Sequence, residues 1–381
     1  YVLVDEFQDT NALQARIVKG FAQVHKQVLV VGDDAQSIYA FRGADVQNIL
    51  SFPKQWPEAR MFKLLTNYRS TPQILEVANA SLKHNQDQFE KDLIAMGSAG
   101  EKPRLVPCQS ASQEARYVAD QVGALRTKGM RLRDIAVLFR SSAHSQTLEF
   151  ELMKRDIPYE YRGGQKFFER AHIKDAICFL RVRHNPKDEV AWLRILQLQP
   201  GIGVTSAALF SKQAGAFTDW GTIQTHPAAR AWKGKAKDGW TAFAALMNDL
   251  GALSEWPSTV LRRLVGSSYK RYLEQEYPNW RERVEDLEQL ALFAEAYQDT
   301  GAFLADIALY DDVVAKRQDP GMADQERLVL STIHQAKGLE WTAVFVIHLA
   351  DQSFPSRRAL QETDGMEEER RLFYVAVTRA R

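Results

Sequence analysis

The chain has 381 residues, of which 45% are hydrophobic and 25% charged, with a formal net charge of +1. That composition excludes a disordered tail and a histone-like coat of positive charge, and the length suits about two to three domains. Near-neutrality leaves nucleic acid open as a partner, because a local basic groove is enough to hold phosphates.

In chain order, Tyr1–Val4 reads as an apolar strand ending in two adjacent carboxylates, Asp5 and Glu6. A helix follows near Asn11–Val24, then a buried strand Gln27–Val31 and a Gly32-Asp33-Asp34 turn, a βαβ rhythm that predicts a parallel sheet. Pro53 and Pro57 mark a loop, and Met61–Leu65 reads as a short strand leading into Asn67-Tyr68-Arg69-Ser70. Thr71-Pro72 opens a helix with proline at its first position. Asp134–Phe139 is a buried strand, Ser145–Lys154 a helix and Ile157–Tyr161 a short strand. From about residue 170 to about 318 helical periodicity dominates, in Lys174–Arg183, Val190–Leu198, Thr259–Gln275 and Asn279–Ala296. No convincing strand interrupts that stretch, and 211–240 reads as a loose connector. Strands resume at Arg327–Thr332 and Ala343–Ile347, and a helix begins at about Met366. The expected fold is therefore α/β, interrupted by a mostly helical insert of about 150 residues and then completed.

Cys108 and Cys178 lie in no metal-ligand or disulfide spacing, so a reducing, intracellular setting is expected. The sequence shows no signal-peptide pattern and no apolar run of about 18 residues, so no membrane partner is expected.

Five stretches carry candidate chemistry. Asp5, at the carboxyl end of a strand, is placed to hold Mg²⁺, and Glu6 to orient or deprotonate an attacking water; a solvated turn explains the same pair. In Gly32–Gly43, Gln36 is a candidate γ-phosphate sensor, Tyr39 and Phe41 are candidate base-stacking rings and Arg42 a phosphate contact. A core aromatic pair with a surface arginine is the plainer reading. Tyr68 can stack on adenine and Arg69 can meet a γ-phosphate, against the alternative of a buried tyrosine beside a paired arginine. In Thr332–Trp341, Gly338 permits close backbone approach, Thr332, His334 and Lys337 are candidate phosphate contacts, and Glu340 can bond a ribose hydroxyl; a polar strand-to-helix loop also fits. Arg379 follows an apolar segment and is a candidate arginine finger, whereas Glu368-Glu369-Arg370-Arg371 fits a self-paired helix face.

Taken in order, Val-Asp-Glu-Phe-Gln-Asp-Thr (4–10), Gly-Asp-Asp-Ala-Gln-Ser-Ile-Tyr (32–39), Asn-Tyr-Arg-Ser (67–70), Gln-Ala-Lys-Gly-Leu-Glu (335–340) and Val-Thr-Arg-Ala (377–380) resemble the superfamily 1 DNA helicases of the UvrD/Rep/PcrA type. The resemblance runs the length of the chain and is weakest over 200–320. It implies RecA-like P-loop NTPase domains. Residues 1–69 would be the rear half of the first, 70–168 with 326–381 the second, and 169–325 a helical insert in the second. It also implies ATP and Mg²⁺ as cofactors, 3′-to-5′ movement on single-stranded DNA, action at single-strand/duplex junctions, and a cytoplasmic, nucleoid-associated place in a bacterium. Gly201-Ile202-Gly203 looks like the insert's turn that meets duplex phosphates, although a plain helix-linking turn reads equally well.

Phe41 stands where the family commonly has Trp, and Trp341 where it commonly has Phe; both keep an aromatic ring. The larger departure is that no G-x-x-x-x-G-K-[ST] loop occurs among the 381 residues. A fragment of a longer motor is expected, cut at both ends, with little ATP hydrolysis of its own. A helicase–nuclease subunit of the RecB or AddA kind, and an ATP-incompetent DNA-binding or scaffold protein, are the rival readings.

Overall fold

The computed structural model describes residues 1–162, 167–214, 219–316, 326–357, 359–362 and 364–381. They fall into two compact units, Tyr1–Gly164 with Glu326–Arg381, and Gln165–Gln325.

The first unit is mixed α/β. Strands β1 (Val2–Val4) and β2 (Val28–Val30) pair in parallel, Val2 opposite Val28, with helix α1 (Ala12–Ala22) between them. Asn11 starts α1 with a capping box: its side chain accepts the Gln14 N–H and the Gln14 side chain accepts the Asn11 N–H, both at 2.9 Å. Two single-turn helices, α2 (Gln47–Leu50) and α3 (Phe52–Gln55), lead to a second short parallel pair, β3 (Thr66–Asn67) and β4 (Ile94–Ala95), flanking α4 (Pro72–Leu82). Helices α5 (Ala111–Thr127) and α6 (Gln146–Lys154) bracket β5 (Ile135–Phe139), followed by β6 (Tyr159–Arg162).

The principal sheet is parallel, in the order β6, β7 (Leu328–Thr332), β5, β8 (Ala343–Val346). Every residue of β5 is buried, because helices cover both faces. Ile135, Val137 and Phe139 pack with Val118 and Val122 of α5 and Leu148 and Leu152 of α6. Ala136 and Leu138 belong to the opposite core, with Ala78 and Leu82 of α4 and Leu372 and Val375 of the closing helix. Ala35 and Ile38, from the loop after β2, sit in that same core, so the loop carrying Gln36 and Tyr39 is anchored on the helices that cover the principal sheet.

The second unit is helical. It comprises α7 (Ala171–His184), α8 (Glu189–Gln197), α9 (Val204–Ala214), α10 (Lys235–Gly251), α11 (Pro257–Val265), α12 (Ser268–Glu276), α13 (Trp280–Phe293) and α14 (Thr300–Lys316). Helix α7 is its axis, buried along nearly its whole length against α8, α11, α13 and α14. No helix among the described residues is long and apolar enough to cross a membrane. The chain closes in the first unit with the short α15 (Ile333–Ala336) and with α16 (Gly365–Val377).

Three expectations change. Met61–Leu65 forms no strand; β3 begins at Thr66, where β4 supplies a hydrogen-bonding partner that the preceding residues lack apart from Leu65, whose carbonyl accepts the Ile94 N–H. Thr259–Gln275 is two helices: Gly266 ends α11 and the Ser267 hydroxyl caps α12 by accepting the Tyr269 N–H at 3.1 Å. The described part of 211–240 is pinned by aromatic packing, with Trp232 and Trp240 rings 5.5 and 4.7 Å from Phe210 and 4.8 Å from each other. Residues 215–218 of that stretch lie outside the described residues, as do 317–325 at the end of the expected helical insert.

Candidate functional site

The candidate residues of the first unit gather in three places. The first is the corner after β1. Asp5 is exposed, and one of its oxygens accepts the Glu6 N–H at 2.9 Å. Glu6 adopts left-handed backbone, φ 53°, which swings its carboxylate beside Gln8 Nε2 at 2.6 Å and Lys337 Nζ at 3.2 Å. Gln8 is fully buried and its oxygen accepts the Asp33 N–H at 3.0 Å. Gly32 makes room for it: a β-carbon there would strike Gln8 Oε1 and come within 2.7 Å of Ile49. Asp33 then accepts from Gln36 Nε2 at 2.8 Å. A polar chain therefore links Glu6 to Gln36 through two residues that sequence reading did not single out.

Lys91 was also missed. Its ammonium lies between Asp33 and Asp34, 2.6 Å from Asp34 Oδ1, while the Phe89 N–H donates to Asp34 Oδ2 at 3.1 Å. Burial opposes the Lys91 charge, but the two aspartates outweigh it and hold its pKa above the ordinary lysine value.

The second place is aromatic and basic. Phe41 is 59% exposed, its ring centroid 6.0 Å from Tyr39 and 5.1 Å, edge-on, from His334. The Arg42 guanidinium stands 5.6 and 5.5 Å from the Tyr39 and Phe41 rings. The Tyr39 hydroxyl donates to the His334 carbonyl at 3.0 Å. Burial, with Arg140 and Arg42 nearby, pushes the His334 imidazole down to about 3, so it is neutral at physiological pH and offers hydrogen bonding rather than charge. Thr332 caps α15 by accepting the Gln335 N–H. Lys337, expected to meet a nucleic-acid phosphate, is turned inward: its side chain is 8% exposed and paired with Asp9 and Glu6. Arg140, just after β5, donates to Glu369 at 2.8 Å, and the Glu368 carboxylate accepts the Ala40 N–H at 3.2 Å, which ties the Tyr39 loop to α16.

The third place is an open cleft of about 630 Å³ lined by Thr66, Asn67, Tyr68, Arg69, Glu340 and Arg381, within the size range of small-molecule sites. Tyr68 is 81% exposed and its ring is free to stack. Asn67 Oδ1 accepts the N–H groups of Arg69 and Ser70 at 2.9 and 2.8 Å, which fixes the turn. Glu340 bridges Arg69 and Arg381, the latter at 2.6 Å, and those hydrogen bonds hold its carboxyl below the usual range. The expected ribose contact is thus tied to two guanidinium groups. Gly338, φ 84°, makes the turn that brings Glu340 there. Arg379 is buried; it donates to the Val375 carbonyl at 3.0 Å, the Leu339 carbonyl at 3.1 Å and the Thr378 hydroxyl at 3.2 Å. Burial first, then the Arg69 charge, bring its pKa down to about 10.

Among the described residues no group of three or more His, Cys, Asp or Glu side chains could hold a metal. Asp5 keeps an exposed carboxylate at a strand end, which suits a hard cation bound by one protein carboxylate, water and phosphate oxygens rather than by a protein cage. Gly201-Ile202-Gly203 lies in the helical unit against the start of α10, with Gly201 at φ 77° and its missing β-carbon directed at the Ala236 amide.

Residues 62–219 and 240–381 match the family model described as the UvrD-like helicase C-terminal domain, and residues 1–57 match the UvrD/REP helicase N-terminal domain. The chain is 36% identical over 403 residues to the ATP-dependent DNA helicase PcrA of Leuconostoc citreum, covering 100% of this chain and 53% of that protein. It is 35% identical over 400 residues to the PcrA of Staphylococcus epidermidis, with 100% and 54% covered. Against the PcrA of Bacillus subtilis it is 34% identical over 395 residues, with 100% and 53% covered. The chain spans about half the length of these curated relatives.

Proposed function

This chain belongs to the UvrD-like helicase family, and from that premise we propose that it forms part of an ATP-dependent DNA helicase that moves 3′-to-5′ on single-stranded DNA and opens single-strand/duplex junctions. Residues 1–69 are assigned to the rear half of a first RecA-like domain, 70–168 with 326–381 to the second, and 169–325 to its helical insert. A cytoplasmic, nucleoid-associated role in DNA repair or replication follows from the same proposal.

The observation that carries it is the cleft beside Arg379. An exposed tyrosine ring, Arg69 and Arg381 line it, and the buried Arg379 reaches only uncharged oxygens among the described residues. The Glu340 and Asp33 carboxylates act on it and burial outweighs them, so a buried cation with no direct ion pair among the described residues is stabilised when an anion arrives. A nucleotide supplies both a flat base for Tyr68 and phosphate charge for the arginines. Asp5 would hold Mg²⁺, which would supply neutralisation of the charge that develops on the phosphate. Glu6 orients the attacking water and accepts its proton, and Gln36, held by Asp33, senses the terminal phosphate. Tyr39 and Phe41 take bases by stacking, about 1–3 kcal/mol per base and tolerant of sequence, as a motor needs. Arg42 and Thr332 are assigned to the strand's phosphates and the Gly201 and Gly203 amides to the duplex, the Ile202 N–H being taken by the Gln199 carbonyl at 3.2 Å.

The test is steady-state ATP hydrolysis by the complete gene product carrying this sequence, with and without single-stranded DNA. Stimulation by the strand, lost on Arg379→Ala, supports the reading. Hydrolysis indifferent to both overturns it.

A further inference from the structure

We propose that Lys337 is a positioning residue that couples the single-strand site to the hydrolytic carboxylate, rather than a contact to the DNA backbone. The inference rests on the helicase reading above and deepens it.

Lys337 follows α15 and precedes Gly338, in the loop that also holds His334. Its Nζ lies 2.5 Å from Asp9 Oδ2, 2.9 Å from the Gln36 carbonyl oxygen and 3.2 Å from Glu6 Oε2. An ammonium has three N–H donors, so these oxygens account for all of them. The Tyr39 ring centroid stands 5.3 Å from the same nitrogen. What remains is 8% exposed, which leaves no outward cation for a phosphate.

The consequence is mechanical. The loop that bears Tyr39 and Phe41 and the loop that bears His334 are joined twice, by Lys337 to the Gln36 carbonyl and by the Tyr39 hydroxyl to the His334 carbonyl. A base stacking against Phe41 and the edge of His334 pushes on both loops at once. The group that must answer is the ammonium, and its other partners are Asp9 and Glu6 at the end of β1. Asp9 makes the link stringent: among the described residues its Oδ1 is buried with no hydrogen-bond partner and Lys337 is the cation paired with its carboxylate. Burial raises the Asp9 pKa and Lys337 opposes that rise. A shift of the lysine therefore alters the charge balance beside Glu6 without any contact between DNA and the carboxylate corner.

Lys337→Met preserves length and removes the ammonium. In the complete gene product, the ratio of turnover at saturating single-stranded DNA to turnover without DNA is expected to fall about tenfold or more, within the roughly 5–150-fold span of site-to-site couplings. DNA affinity and its salt dependence are expected to stay as in the parent. Lys337→Arg, which keeps a cation, is expected to recover part of the ratio. Asp9→Asn, which leaves the lysine in place, is expected to lower the ratio in the same way and carries the test if Lys337→Met does not fold. An unchanged ratio in a folded Lys337→Met or Asp9→Asn protein overturns the proposal. So does weakened DNA binding with a salt slope shallower by about 0.7, the signature of one lost single-strand phosphate contact. Absence of any DNA-stimulated turnover in the parent overturns the helicase reading instead, so the two failures are distinguishable.

Discussion

Arg379 holds its guanidinium against two backbone carbonyls and a hydroxyl, with its side chain 2% exposed. On the proposed function, that cation is held for the charge of a bound phosphate. Its truncation should lower DNA-stimulated turnover by about 10³-fold or more, as for other arginine fingers, while leaving single-strand affinity close to the parent value; kcat and DNA titration read the two separately. Lys91 is held for a structural reason. Removing its charge with Lys91→Met leaves Asp33 and the buried Asp34 facing each other, at a cost of about 3–5 kcal/mol, measurable by urea unfolding. Two half-buried histidines set a pH dependence. His334 and His144 are both driven down to about 3 from 6.5, chiefly by burial. The unfolded chain therefore binds more protons than the folded one between those values. Stability should be complete above about pH 6.5 and fall with acidification, by up to about 1.4 kcal/mol per pH unit for each histidine. Unfolding midpoints at about pH 7.5 and about pH 5 check the slope, and His334→Gln should flatten it.

At the scale of elements, strands β5 and β7 were legible because parallel strands covered on both faces read as short continuous apolar runs, and β1, β2 and β8 carry the same apolar runs although Leu3 and Leu29 are exposed. Met61–Leu65 has the same composition but little of the ladder that makes a strand, and pairing is invisible to composition. The break at Gly266-Ser267 was written in the sequence as a glycine followed by a capping residue, and periodicity alone ran across it. The connector over 211–240 misled for the opposite reason. Its small and charged residues are loop-like, yet Trp220, Trp232 and Trp240 are drawn onto Trp192 and Phe210 by tertiary packing that no local window contains. Trp240→Ala should therefore destabilise the helical unit by about 3–5 kcal/mol, seen as a lower urea midpoint for that unit. In the site, the run Asp5 to Asp9 announced the carboxylate corner. Lys91 did not announce itself, because its partners lie 58 and 57 residues away and no motif spans that gap. The inward turn of Lys337 was hidden for the same reason: its carboxylate partner Asp9 is 328 residues distant in sequence.

At the scale of the whole molecule, the chain spans about half of its curated relatives, 53% of the Bacillus subtilis protein. Within its 381 residues Asp5, Glu6, Gln36, Arg69 and Arg379 are present, and a G-x-x-x-x-G-K-[ST] phosphate cradle is not. The 381-residue polypeptide by itself should therefore bind single-stranded DNA through Tyr39, Phe41 and Arg42 and show no appreciable ATP turnover; fluorescence anisotropy and phosphate release measure the two. The loop that bears Tyr39 and Phe41 shares one core with α4 and α16, since Ala35 and Ile38 pack with residues of those helices. The measurement to make first is ATP hydrolysis by the complete gene product as single-stranded DNA is titrated in. A rise in turnover that saturates with DNA, and that Arg379→Ala abolishes, is the expected result. Turnover that ignores DNA, or no turnover in the intact product, would contradict it.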